Sequence, residues 1–185
     1  MMREARRAFK RGNHQQHVAS HRCEPAIDNA ARKRAFNKVM RYLWALPTTL
    51  VGLAAIVGDR AIAAVHGLTR PAGARRAAAD ARALRVVQGV IEAHGPHIAW
   101  ALTHLTFVRG GVAAMTLGHV VLARDAAVLE ATRTHERVHV RQCERWGPLF
   151  VPAYLAASLL AYARGGDFYR DNWFEVEAFA AERRG

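Results

Sequence analysis

The sequence predicts an α+β fold: a small antiparallel sheet, then a three-helix bundle, with one apolar helix ahead of both. Three observations carry this. Residues 84–123 hold three short apolar runs parted by Gly95-Pro96 and Gly110-Gly111. Residues 125–182 hold three helical patterns parted by Gly147-Pro148 and by Arg164-Gly165-Gly166. Tyr42–Gly58, YLWALPTTLVGLAAIVG, is a run without a charge, bounded by Arg41 and by Asp59-Arg60.

Taken in order, residues 1–39 are basic and lack apolar periodicity, so they read as a poorly ordered tail with at most a short amphipathic helix near Ala30–Val39. No apolar core and no small-residue cleavage site mark the tail as a signal peptide. Met40-Arg41-Tyr42-Leu43-Trp44 makes a natural start, and the residues before it are expected to be dispensable. Residues 40–68 form the hydrophobic helix. It sits at the lower length limit for a membrane span, with Trp44 at one end as an interfacial anchor and Pro47 in its first turns. Residues 69–83, TRPAGARRAAADARA, form a basic linker. The tail and the linker arginines favour opposite orientations, so the side of the membrane stays open.

Residues 84–185 form the folded domain. Leu84–Ala93, Ile98–Val108 and Val112–Ala123 read as strands, with Gly110-Gly111 as a hairpin turn. Asp125–Trp146 has neither Gly nor Pro and is rich in Ala, Leu, Glu and Arg, which makes it a helix. Val128, Leu129 and Val138 mark its apolar side. Trp146–Ala163 carries no charge along its whole length. The third helix opens near Asp171 or Asn172, either of which suits an N-cap.

The first of these helices contains His135-Glu136-Arg137-Val138-His139. Four residues is a little over one turn, so both imidazoles leave the same face and can hold one metal ion. Glu136 lies beside them, placed to hydrogen-bond a water on that metal. Two nitrogen ligands, a carboxylate base and an open position for water are the parts of a zinc hydrolase. At about 1.5 Å per residue the apolar second helix runs back past the histidines, and the third helix returns to their depth. Glu175 stands in its first turn and becomes the third ligand. Glu175 and Glu177 lie about 200° apart on a helix, so only one can face the metal; Glu175 is preferred, with Glu177 as the alternative. A bilayer span at Trp146–Ala163 would part His139 from Glu175, so that segment is expected to pack as a hairpin partner, burying Leu149, Tyr154, Leu159 and Leu160.

The HERVH helix followed by FEVEAFA resembles the gluzincin zinc proteases, in particular the membrane-bound prenyl-protein and heat-shock proteases. Their third ligand is a Glu with an Ala shortly after it. Glu175-Val176-Glu177-Ala178 matches that pattern with Glu175 as ligand, although Phe179 stands where those proteases usually carry Asp. The block from about Met40 to Ala181 is similar to a family of small bacterial H-E-x-x-H proteins, which tend to carry Tyr at the position of Cys143 and bring no substrate with them. The resemblance implies a zincin-like fold, Zn²⁺ held by His135, His139 and Glu175, and a single N-terminal anchor in a bacterial inner membrane. It also implies that Glu136 deprotonates water for attack on a peptide carbonyl. Zincins bind peptide along an edge strand of the sheet, which makes Thr116–Ala123 the candidate substrate strand.

Other side chains carry weaker expectations. Gln142, three residues after His139, is either an orienting partner of the ligand or polar surface. His119 could polarise a substrate carbonyl, but a histidine alternating along a strand is more often structural. Tyr169 and Tyr154 are candidate donors to the reacting group. Cys143 reads as a partly buried small side chain rather than a ligand.

The net charge is +12 over 185 residues and unevenly placed. Residues 1–41 hold 11 Lys/Arg against 3 acids, and the other 144 residues hold 16 against 12. No zinc-finger spacing, aromatic RNA-binding motif or Gly-rich phosphate loop accompanies the basic tail, so nucleic acid is not expected as a partner. Cys23 and Cys143 lie in such different settings that a framework disulfide is not expected. The expected function is that of a membrane-associated zinc metallopeptidase acting on peptides or proteins. The rival is a non-enzymatic membrane protein with a structural or vestigial metal site, and a basic-tailed binder of nucleic acid or anionic lipid comes third.

Overall fold

A computed structural model describes residues 24–106, 108 and 110–184 of the chain. Residues 1–23 of the tail, Cys23 among them, lie outside the described residues. Two compact units divide the chain, Met1–Met40 and Arg41–Gly185. The described part of the first is the N-terminal length of helix α1 (Glu24–Trp44). That helix is longer than the short one expected near Ala30–Val39. Its Ala, Arg and Lys content favours helix without an apolar stripe.

The second unit begins with the last turn of α1. Helix α2 (Leu46–Gly67) restarts after Ala45, and Pro47 at its first turn accounts for the break, because proline brings no N–H to the ladder. The hydroxyls of Thr48 and Thr49 both donate to the Ala45 carbonyl, at 2.9 Å each. Helix α3 (Ala72–Asp80) occupies most of the stretch read as a linker. There follow β1 (Ala83–Val87), β2 (Val90–His94), α4 (Pro96–His104), β3 (Ala114–Leu117), β4 (Val120–Ala123) and α5 (Ala126–Trp146). A single 3-10 turn, Gly147–Leu149, leads into α6 (Phe150–Ala163), and α7 (Trp173–Glu182) closes the chain.

The α+β class holds, and the sheet differs from expectation. It has four strands in the order β1-β2-β4-β3; β1/β2 and β3/β4 are antiparallel, but β2 and β4 run parallel. The sheet is therefore mixed, because none of the three apolar runs folds as a single strand. Leu84–Ala93 is a hairpin, turning at Gln88-Gly89, both with positive φ. Ile98–Val108 is no strand: Pro96 opens α4 as its first-turn proline, the position proline favours in helices. Val112–Ala123 is a second hairpin, turning at Gly118-His119. Gly118 has φ of 65°, and a Cβ there would run into Thr49 and the Ala45 carbonyl, so glycine is required on both counts. Gly110-Gly111 joins α4 to β3 rather than closing a hairpin.

Alternation along the strands splits the core into two layers. Ala93, Val120 and Leu122 face Ile56 of α2 with Ile98 and Leu102 of α4. Val90, Val121 and Ala123 face Leu129 and Val140 of α5. Each fully buried aliphatic side chain contributes about 1.5–3 kcal/mol. A third cluster, Ala45, Cys143, Phe150 and Phe174, ties the start of α2 to α5, α6 and α7. Asp125 caps α5 by accepting from Val128 N at 2.8 Å, and Asn172 caps α7 by accepting from Phe174 N at 2.9 Å. Asn172 is wholly buried, and its amide also donates to Tyr154 O and Ser158 Oγ, fixing α7 against α6. The apolar residues of the turn and α6 do not pack as expected: Leu149, Leu159 and Leu160 are exposed, while Phe150 and Ala161 are buried together with the hydroxyl-bearing Ser158.

One buried charge cluster clamps the sheet to α5. Glu92 on β2 is 2% exposed and accepts from Arg85, Arg133 and Arg137 at 2.9–3.1 Å. Burial opposes its ionisation, but the hydrogen bonds from Arg133 and Arg85 outweigh burial and hold its pKa below the ordinary carboxylate value. A carboxylate with a depressed folded pKa stabilises fully above about pH 4.5, and the contribution is lost as pH falls through the lower folded value. Glu92→Gln is therefore expected to cost about 3 kcal/mol at pH 7, with the gap to wild type closing under acid. Denaturant unfolding of both proteins from pH 7 to pH 3 checks it; equal stability at pH 7 would show that the cluster contributes nothing net.

Candidate metal centre

Helix α5 presents His135 and His139 one turn apart toward α7, and the first turn of α7 presents Glu175. All three are buried, and their ligand atoms lie within 4.8 Å of one another. His135 Nε2 is 3.1 Å from His139 Nε2 and 3.1 Å from Glu175 Oε2, and His139 Nε2 is 3.4 Å from Glu175 Oε1. Ligand bonds of about 2.0–2.1 Å in a tetrahedral array separate their donor atoms by about 3.3 Å. The donor set thus has the chemistry and the spacing to hold a metal ion.

The His139 imidazole is oriented from behind. His139 Nδ1–H donates to Gln142 Oε1 at 2.8 Å, which leaves the Nε2 lone pair facing the site. The Gln142 amide donates in turn to Phe174 O at 3.1 Å and to Glu177 Oε2 at 2.8 Å. Gln142 is therefore an orienting residue, and Glu177 stands behind it, outside the three-ligand group. His135 Nδ1 faces Glu182 Oε2 at 3.7 Å. The Tyr154 hydroxyl donates to Glu175 Oε1 at 2.6 Å.

Electrostatics bind the group further. Burial works against the Glu175 carboxylate, but the imidazoles of His135 and His139 beside it and the Tyr154 hydroxyl outweigh burial and bring its pKa to about 2. Burial also disfavours charge on His139, yet Glu175 and Glu136 overcome it and raise the imidazole above its ordinary value. Glu136 sits beside the ligands on α5, 5% exposed, and burial pushes its carboxyl up. Its Oε2 accepts from Thr116 Oγ1 of β3 at 2.6 Å.

Glu136, His139 and Glu175 line a cavity of about 220 Å³. Glu136, His139, Glu175, Tyr154 and Tyr169 supply its polar part, while Met115, Leu117, Leu105, Leu155 and Phe168 make the rest apolar. Tyr169 thus lies where a donor was expected, its phenol raised by burial beside Glu175. His119 does not join the site. Its ring stacks on Tyr42 at 3.9 Å between centroids, and its Nε2 lies 3.2 Å from Glu144 Oε1. Cys143 is fully buried in the third core cluster with its thiol pushed up to about 12, and it is not among the clustered donors. The candidate substrate strand is also revised. Val120–Ala123 is an interior strand buried along its whole length, and the sheet edge beside the cavity is β3, Ala114–Leu117. The sequence marks Thr116 only as part of a strand and does not single out Glu182. Neither contact follows a spacing rule, because each joins elements far apart in the chain.

No protein-family profile, curated protein or solved structure matches the chain.

Proposed function

We propose that this chain is a zinc-dependent peptidase with a zincin-like domain of the gluzincin kind. The observation that carries the reading is the convergence of His135, His139 and Glu175, with Glu136 beside them, where His139, Glu175 and Glu136 line a cavity. His135, His139 and Glu175 would hold the ion, which when bound supplies Lewis-acid polarisation of a carbonyl and of water. Glu136 is the proton carrier. It takes a proton from water and returns it to the leaving amine, and the Thr116 hydroxyl fixes the carboxylate for that exchange. Tyr154 and Tyr169 line the same cavity beside Glu175, and the Tyr154 hydroxyl steadies that carboxylate as a ligand.

The β3 edge suits a peptide as the ligand. Leu117 and Val120 flank the two-residue turn, and Arg124 N donates to Ala113 O, so the odd-numbered residues bond to β4. The backbone groups of Ala114 and Thr116 then point to the open edge, where an extended peptide could add as a strand. The apolar lining favours a large apolar side chain next to the scissile bond.

The test is metal-dependent turnover. Purified full chain is expected to contain about one zinc per chain by elemental analysis, and His139→Ala to contain almost none. Hydrolysis of an unfolded protein substrate should stop with chelator and return with zinc. A protein that folds, carries no transition metal and takes none up would overturn the reading.

A further inference from the structure

We propose that α2 lies in the plane of a lipid bilayer surface with its outer face in the acyl boundary, so that the Arg41–Gly185 unit is held on the membrane without crossing it. Two stretches, Leu46–Gly67 and Ala126–Ala163, are long and apolar enough to cross a membrane by length and composition. Their tertiary contacts speak against a span. The second carries the histidine ligands and two different helices. The first, α2, is committed on one side to the sheet: Thr48, Gly52, Ile56 and Asp59 are buried at helical spacing. Val120 and Leu117 would meet a side chain placed at Gly52, so helix and sheet touch closely there.

Asp59 makes the attachment binding. Its carboxylate is 2.8 Å from Arg82 Nε and accepts from the His97 backbone N–H at 3.1 Å. A helix that left the sheet for the bilayer core would strip Asp59 of Arg82 and the His97 N–H and carry its carboxylate into hydrocarbon, where a charge is strongly disfavoured.

The opposite face of α2 is bare. Leu46, Leu50, Val51, Val57, Ile62 and Val65 are each at least 41% exposed, and every other exposed residue up to Val65 is Ala or Pro. At about 1.5 Å per residue this strip runs about 30 Å without one side-chain hydrogen-bonding group. A protein interface carries about one hydrogen bond per 100–200 Å², so the strip is a poor match for a second copy or another protein. It suits acyl chains. Its ends suit the headgroups: Trp44 is half exposed beside its start, Arg41 precedes it, and Arg70, Arg75 and Arg76 follow. The exposed Leu149 and Val151 extend the surface, since α2 contacts the Gly147–Leu149 turn and Trp44 lies against Gly147. The proposal does not depend on the metal.

The experiment adds full chain to preformed vesicles of phosphatidylcholine, with and without phosphatidylglycerol, in high salt to suppress the basic tail. Wild type should float with both. Val57→Glu should reduce partitioning about tenfold or more, whereas Val86→Glu, equally exposed on β1, should leave it unchanged. Circular dichroism and thermal unfolding check the fold; should Val57→Glu misfold, Val57→Ser must still weaken flotation measurably. In a Cys23→Ser background, Arg41→Cys and Arg70→Cys, both at the headgroup level, should react with an impermeant maleimide from outside sealed vesicles. Failure to float, equal flotation of the Val57 variants and wild type, or protection of one end until detergent is added would overturn the proposal. A lipid-free dimer dissociated by Val57→Glu would also overturn it, by assigning the face to a second copy.

Discussion

Glu136→Gln is expected to lower turnover about 10³-fold while the metal stays bound. Glu136 is not among the ligand atoms that converge, so its replacement leaves His135, His139 and Glu175 as they are. Gln keeps the shape, and its carbonyl oxygen can still accept from Thr116 Oγ1. What disappears is the ability to carry a proton, a contribution typically of about 10²–10⁴. Wild-type and variant protein should therefore give equal zinc by elemental analysis and unequal rates on the same substrate. Retained turnover would remove Glu136 from the chemistry. Lost metal would instead make it a structural support of the site.

The second large effect separates the two glutamates of α7. Glu175→Gln should weaken zinc binding by more than about 100-fold, because it removes a ligand outright. Glu177→Gln should stay within about tenfold, since Glu177 acts only through Gln142 on the far side of His139. Competition titration against a chromogenic chelator measures both. The affinity of wild type should fall as pH drops, because an imidazole must shed its proton to ligate. Glu175, with a pKa of about 2, stays ionised across that range and is not the cause. The raised pKa of His139 moves the onset upward, so proton competition begins above the ordinary histidine value of about 6.5. Equal losses in the two variants, or the reverse order, would remove Glu175 as the third ligand.

The site was far more legible than the sheet. His135, Glu136 and His139 share one helix, where a four-residue spacing means one face whatever surrounds it. Glu175 could be placed because two helix reversals return the chain to the same depth. Its neighbour Glu177 was set aside because the two project in nearly opposite directions from the helix axis. The strands offered no such ruler. Gly89 sat inside an apolar run and passed for a strand residue although it makes a turn. Pro96 read as a break between strands although it starts α4, since proline punctuates both. Thr116 and His119 exchanged expectations for a related reason: alternation says which residues share a face, and only the pairing of β3 with α5 shows which face meets Glu136.

By itself the sequence determined what depends on local periodicity and capping: α5 with its Asp125 cap, α7 with its Asn172 cap, the ligand-bearing face, and the apolar character of α2 and α6. The tertiary structure decided what depends on long-range pairing. It made the sheet mixed by setting β2 beside β4, turned Gln142 and Glu182 toward the imidazoles, and left Leu149, Leu159 and Leu160 in the open. It also fastened one face of α2, a helix apolar enough by composition to cross a membrane, to the sheet. Asp59 is a defect in that apolar run until Arg82 and His97 are seen beside it, where distant partners make the charge a tether.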